Sequence, residues 1–183
     1  MRRNLVGAVL AGALMTAASP AVADAQSPQS SDPTAMTRAD IQSAAAVTYR
    51  IKNTKSQKYL QSSGGGSAVG TKIVQQPLSS STSQRWGIVE DGSFISFWTP
   101  TADKNMGIDR GSKEAGAAAI LANPSGDENQ DWTLKWRSDT VFEMRNRNSG
   151  LCLGISGASE DNGAQAAQFP CDGKANQGWA FTN

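Results

Sequence analysis

Apolar and polar residues alternate along several short runs of the chain. "YRIKN" at 49–53, "FISFWT" at 94–99 and "VFEMRN" at 141–146 each change character at every second residue. That period marks strands with one buried face. Gly, Ser and Asn gather between the runs, as turns require. No segment carries a sustained helical stripe, so the pattern predicts an all-β domain.

From Val47 onward the pattern occurs three times. Its anchor is Gln-x-Trp: "QRW" at 84–86, "QDW" at 130–132 and "QGW" at 177–179. Aligned on these glutamines without a gap, Gly70, Gly116 and Gly163 coincide. So do Leu60, Met106 and Leu153; Tyr49, Ile95 and Phe142; Ile51, Phe97 and Met144; Ile88, Leu134 and Phe181. Such register decides the architecture before any local propensity does. The units run from about 47 to 91, 92 to 138 and 139 to 183, and each has room for about four short strands. None can bury its apolar face alone. They must share one core around a pseudo-threefold axis, with Trp86, Trp132 and Trp179 as equivalent members. Burying each large ring contributes roughly 2–3 kcal/mol. Trp136 is expected to cap one end of that core.

Three Gln-x-Trp units in register, each with a Cys-Leu-like strand upstream, resemble the ricin-type β-trefoil lectin domain, a carbohydrate-binding module. The resemblance covers residues 47–183 and is closest in the third copy, "GLCLGIS" followed by "NGAQAAQFPCDGKANQGW". It implies a β-trefoil of three four-strand units that binds glycans or polysaccharides through shallow sites, without catalysis or a cofactor. It also implies a disulfide between Cys152 and Cys171. The first copy has Tyr59 and Leu78 at those places, and the second has Asn105 and Pro124. The alternative for the pair is a reactive thiol, which no histidine is present to activate.

Sugar recognition needs an aromatic face against the pyranose ring and fixed amides or carboxylates for its hydroxyls. The resemblance places the carboxylate just after Cys-Leu, the aromatic eight residues before the motif Gln, and an Asn just before that Gln. The third copy then offers Phe169, Asn176 and Gln177, with Gly154 at the carboxylate position. The first copy offers Gln61 and Gln76, with Ser83 in place of the Asn. The second offers Asn129 and Gln130, with Gly107 and Ala122 at the other two places. Asp109 lies two residues beyond Gly107 and returns to the same face if the strand stays extended. On matched residues the third copy ranks first and the second last. Structural roles compete throughout: the motif glutamines also suit tying down their own units, and Phe169 also suits plain packing. Trp98 aligns with Lys52 and Arg145, which should face water, so it is a candidate surface for sugar or a protein partner.

Composition narrows the function. The 183 residues include no histidine, which removes His-based triads and His metal sites. No metal-ligand spacing, nucleophile elbow or phosphate loop is present. The acids are scattered, many of them in turn-like stretches, rather than paired for glycoside hydrolysis. Residues 1–25 carry Arg2 and Arg3, then an apolar stretch from Leu5 to about Ala18 and small residues before a cleavage site. That is a signal-peptide plan, too short for a good membrane span, and it predicts a secreted protein. An even cysteine count then favours a disulfide. Residues 26–46 are polar and small and read as a flexible leader. The formal net charge is +1 before the signal peptide, with Arg2 and Arg3, is removed. Near neutrality with no basic block argues against nucleic acid and anionic membranes. The expectation is a secreted, monomeric, non-catalytic sugar binder. The alternatives are a trefoil that has lost its sugars and works through protein contacts, as an inhibitor or toxin subunit, and a small enzyme.

Overall fold

The computed structural model describes residues 48–183; the expected signal peptide, 1–25, and leader, 26–46, lie outside them. The first copy supplies β1 (Thr48–Asn53), β2 (Tyr59–Ser62), β3 (Ile73–Gln76) and β4 (Trp86–Asp91). The second supplies β5 (Phe94–Thr99), β6 (Lys104–Ile108), β7 (Ala119–Ala122) and β8 (Trp132–Trp136). The third supplies β9 (Phe142–Asn146), β10 (Cys152–Ile155), β11 (Ala166–Phe169) and β12 (Trp179–Thr182). Short 3-10 turns punctuate the strands, and there is no α-helix among the described residues.

Six strands close into a barrel. β1 pairs with β4, β4 with β5, β5 with β8, β8 with β9, β9 with β12, and β12 with β1. Closure leaves this ring without a free edge. The other six form three hairpins, β2–β3, β6–β7 and β10–β11. Bridges between Lys72 and Ile120, Val74 and Gln165, and Ala118 and Ala167 join the hairpins to one another. A six-strand barrel capped by three hairpins is the predicted trefoil.

The core follows the repeat. Trp86, Trp132 and Trp179 are fully buried. Their indole N–H groups donate to the carbonyls of Leu60, Met106 and Leu153 at 3.1, 3.3 and 3.0 Å. Each ring therefore buries its area without orphaning its one donor. Symmetry stops at side-chain volume. Phe181 packs against Phe142, Tyr49 and Phe97 at ring centroid distances of 4.4, 5.3 and 6.2 Å, while its counterparts are the smaller Ile88 and Leu134. Trp136 is half-buried against Phe142. The recurring Gly70, Gly116 and Gly163 have φ of 84°, 87° and 78°, the left-handed region glycine enters freely. Cys152 and Cys171 are disulfide-bonded, with Cα atoms 5.0 Å apart.

Candidate functional site

Two grooves open at equivalent places in the second and third copies. The third-copy groove, about 400 Å³, is lined by Gly157, Ala158, Phe169, Asp172, Lys174 and Asn176, among others. The second-copy groove, about 630 Å³, is lined by Arg110, Gly111, Ala122, Asp127, Asn129 and Asn148, among others. Ala122 stands where the third copy has Phe169, and the smaller side chain leaves the wider groove. Asp172 is an acceptor that residue matching passed over. Its Oδ1 accepts from the Lys174 backbone N–H at 3.0 Å, and Lys174 Nζ lies 3.0 Å from Oδ2. The backbone hydrogen bond first, then the lysine side chain, holds this carboxyl below its ordinary pKa. It stays ionised, as a hydroxyl acceptor must.

Gln130 and Gln177 sit beneath these grooves, and all three motif glutamines are buried. Gln177 Nε2 donates to the Pro170 carbonyl at 2.9 Å, and its Oε1 accepts from Asp172 N–H at 3.1 Å. Gln130 likewise binds the Asn123 carbonyl and the Ser125 N–H. Gln84 binds the Pro77 carbonyl, the Ser79 N–H and Gln61 Oε1. Each amide thus holds the loop before its own 3-10 turn. The glycines at the carboxylate position are filled from the side. A Cβ on Gly154 would lie 2.9 Å from Gln177 Cγ, and one on Gly107 3.0 Å from Gln130 Cγ.

Neighbouring copies hold the groove walls. Asn53, at the end of β1, donates to the carbonyls of Asn176 and Gly178 in the third copy. Asn146, at the end of β9, donates to those of Asn129 and Asp131 in the second. The equivalent residue facing the first copy is Thr99, whose buried hydroxyl has no partner. A second set of clamps acts on the opposite wall. Gln75 donates to the carbonyls of Ser159 and Asp161 in the third copy, and Gln168 to those of Ser112 and Glu114 in the second. The equivalent residue facing the first copy is Leu121, which has no amide. Both clamps are therefore present at the second and third grooves and absent at the first copy. Matching residues within each copy ranked the second last; its neighbours' side chains group it with the third.

The model of the ricin-type β-trefoil lectin domain matches residues 47–179. The chain belongs to this family. A comparison with curated proteins finds no match. Among solved structures, the lectin fold is shared with a designed threefold-symmetric protein, ThreeFoil, at 26% identity and a TM-score of 0.72, covering 74% of this chain and 98% of that one. An exo-β-1,3-galactanase from Clostridium thermocellum matches at 24% identity and TM-score 0.73, over 75% of this chain but only 30% of the enzyme. The Macrolepiota procera ricin B-like lectin in complex with lactose matches at 19% identity and TM-score 0.66, over 76% and 97%.

Against this lectin frame the remaining expected residues divide. Phe169, Asn176 and Gln177 come together at one groove, and Asn129 and Gln130 at the other. Asn129 Nδ2 donates to the Ile108 carbonyl at 2.9 Å. Asp109 departs from the geometry assumed for it. β6 ends at Ile108 and Asp109 begins a 3-10 turn, so the extended run that would return it to Gly107's face is broken. Arg110 and Gly111 line the groove instead. Arg110 has φ 52°, where the other copies have Gly64 and Gly157 in the same region. Gln61 is bonded to Gln84, whereas the Gln76 amide lies beside Gly163 of the third copy. Trp98 faces outward but is half-buried rather than freely exposed, because its ring lies over Gly87. Asp127, Arg110 and Asn148 escaped the sequence reading. Asn148 comes from the neighbouring copy, where its Nδ2 donates to the Gly111 carbonyl at 2.8 Å.

Proposed function

We propose that this chain is a secreted, monomeric, non-catalytic carbohydrate-binding protein that takes glycans or polysaccharides in the grooves of its second and third copies. The observation carrying this reading is the pair of clamps from neighbouring copies. They pre-organise two grooves rich in amide and carboxylate groups, and pre-organisation is what turns weak polar contacts into affinity. In the third groove Phe169 is the ring platform, with Asp172 and Asn176 as hydroxyl partners. In the second, Asp127 and Asn129 serve the hydroxyls without an adjacent ring. Asp127 and Glu128 are consecutive, and Glu128 is paired with Arg147 at 3.2 Å. They stand on one wall, not opposed across a bond as glycoside hydrolysis needs. Two sites at fixed separation favour polymers through avidity.

A glycan array and polysaccharide pull-down on the purified chain test this. Binding is expected, with about a tenfold loss in the third site for Phe169→Ala, as removal of a stacked ring implies. No binding to any saccharide would sink the reading. A second reading, in which the trefoil works through protein contacts, is favoured by Gly107 and Gly154, which stand where the family has its carboxylate and crowd against the motif glutamines. It predicts a protein partner whose capture is indifferent to added sugar.

A further inference from the structure

Trp98 belongs to a coordinated pair. It is the cross-strand partner of Gly87. The equivalent pairs are Arg145 with Thr133 and Lys52 with Ala180. Only in the Trp98 pair is the opposing side chain absent, and the indole fills the gap. A Cβ on Gly87 would lie 3.0 Å from Trp98 Cε3. The ring is pinned at its edge as well, since Trp98 Nε1 donates to Asp103 Oδ1 at 3.0 Å. Asp103 is exposed and holds φ 49°, a left-handed conformation that is uncommon away from glycine. The result is a half-buried indole of fixed orientation with a carboxylate at its rim. Those are the two elements of sugar recognition, built at a place where the other copies carry basic side chains.

This platform lies in line with the second groove. Trp98 pairs with Asn105 on β6, and Asn105 with Ala122 on β7, which lines the groove. In the third copy the same row is Arg145, Cys152 and Phe169, crossed by the disulfide. In the second copy Asn105 and Pro124 replace the cysteines. The ring missing at Ala122 thus reappears two strands away, at about 10 Å, roughly the span of two pyranose units. Between the two, Asn105 is buried, with its Nδ2 donating to Gln130 Oε1 at 3.0 Å, so no long side chain stands up from the row between Trp98 and Ala122.

We propose that the second copy holds an extended oligosaccharide site, in which the groove takes one sugar and the Trp98–Asp103 platform stacks a sugar further along the same chain. The proposal rests on the carbohydrate-binding reading above. The test titrates the full chain with β-1,3-galactose, β-1,4-xylose and β-1,4-glucose series of one to six units. It follows the Gly111, Gly157 and Trp98 indole N–H resonances together with affinity. A single sugar should shift Gly111 and leave the indole unmoved. Oligomers of three or more units should shift both and gain about tenfold in affinity. Trp98→Ala should remove that gain while leaving single-sugar binding intact. Trp98→Phe should keep most of it and guards against a folding defect. Asp103→Asn keeps an acceptor for the indole and should lose part of the gain. If longer chains shift Gly111 while the indole stays still and Trp98→Ala binds them as well as the parent, the extended site is overturned and the groove survives. If no series shifts Gly111 or Gly157 and the glycan array and polysaccharide pull-down are also blank, the carbohydrate reading itself is overturned, and this inference with it.

Discussion

A Cβ on Gly154 would lie 2.9 Å from Gln177 Cγ, and one on Gly107 3.0 Å from Gln130 Cγ, so the glutamine would have to give way in each case. Restoring the family's carboxylate by Gly154→Asp should therefore destabilise the fold, by about 1–3 kcal/mol as overpacking does, without improving sugar affinity. Urea denaturation and a sugar titration of the same variant check both halves. Asp172 gives the third groove a carboxylate by another route, from the loop rather than the strand. Because its pKa is held down, its charge and the third site's affinity should persist as pH falls through the ordinary carboxylate range; an Asp172→Asn titration shows whether that charge matters. Tyr49 is a residue-scale liability. Its hydroxyl is buried without a partner, and burial pushes its pKa up. A folded value above the unfolded one means full stability below the unfolded pKa and loss as pH rises through the folded one. Tyr49→Phe should add about 1 kcal/mol near neutrality, with its advantage widening above about pH 10. Thermal melts against pH measure it.

At the scale of elements, paired substitutions keep the buried polar groups satisfied. Ser56 donates to Gln75 at 2.6 Å and Ser149 to Gln168 at 2.7 Å. Their counterparts are Ala102 and Leu121, where both partners have become apolar together. Replacing both members of a buried hydrogen bond is far less costly than replacing one. The consequence is mechanical: the first copy's 63–70 loop lacks the amide clamp that holds the equivalent loops 109–116 and 156–163. Its amides should exchange with solvent fastest of the three, which hydrogen-exchange mass spectrometry reads directly. Asn146→Thr reproduces at the second groove the state Thr99 creates at the first copy. It should cost about 1–3 kcal/mol through unmet polar groups and weaken the second groove while sparing the third. Chemical-shift titrations resolve the two sites.

Across the whole molecule, one core unites three units. Unfolding should be a single cooperative transition. The disulfide closes a loop of separation 19, and Cys152→Ser with Cys171→Ser should lower stability by about 3 kcal/mol without splitting that transition. A broadened or two-step melt would contradict the shared core. The trefoil was legible in the sequence because a repeat aligned without gaps encodes the same inward positions three times, and Trp86, Trp132 and Trp179 occupy them as expected. The cysteine pairing was legible through the family resemblance. The grooves were less so. Phe169 and Asn176 were found by position within a repeat, but Asn53 acts on the backbone at Asn176 and Gly178, more than 120 residues away. Gln75 reaches Ser159 across 84 residues. Comparing copies residue by residue is blind to such contacts, because what holds each groove is a side chain from another copy. By itself the sequence determined the architecture, since periodic burial alone dictates which faces meet. Only the tertiary structure decided which copies have their groove walls clamped by a neighbour, since those clamps are hydrogen bonds between distant parts of the chain.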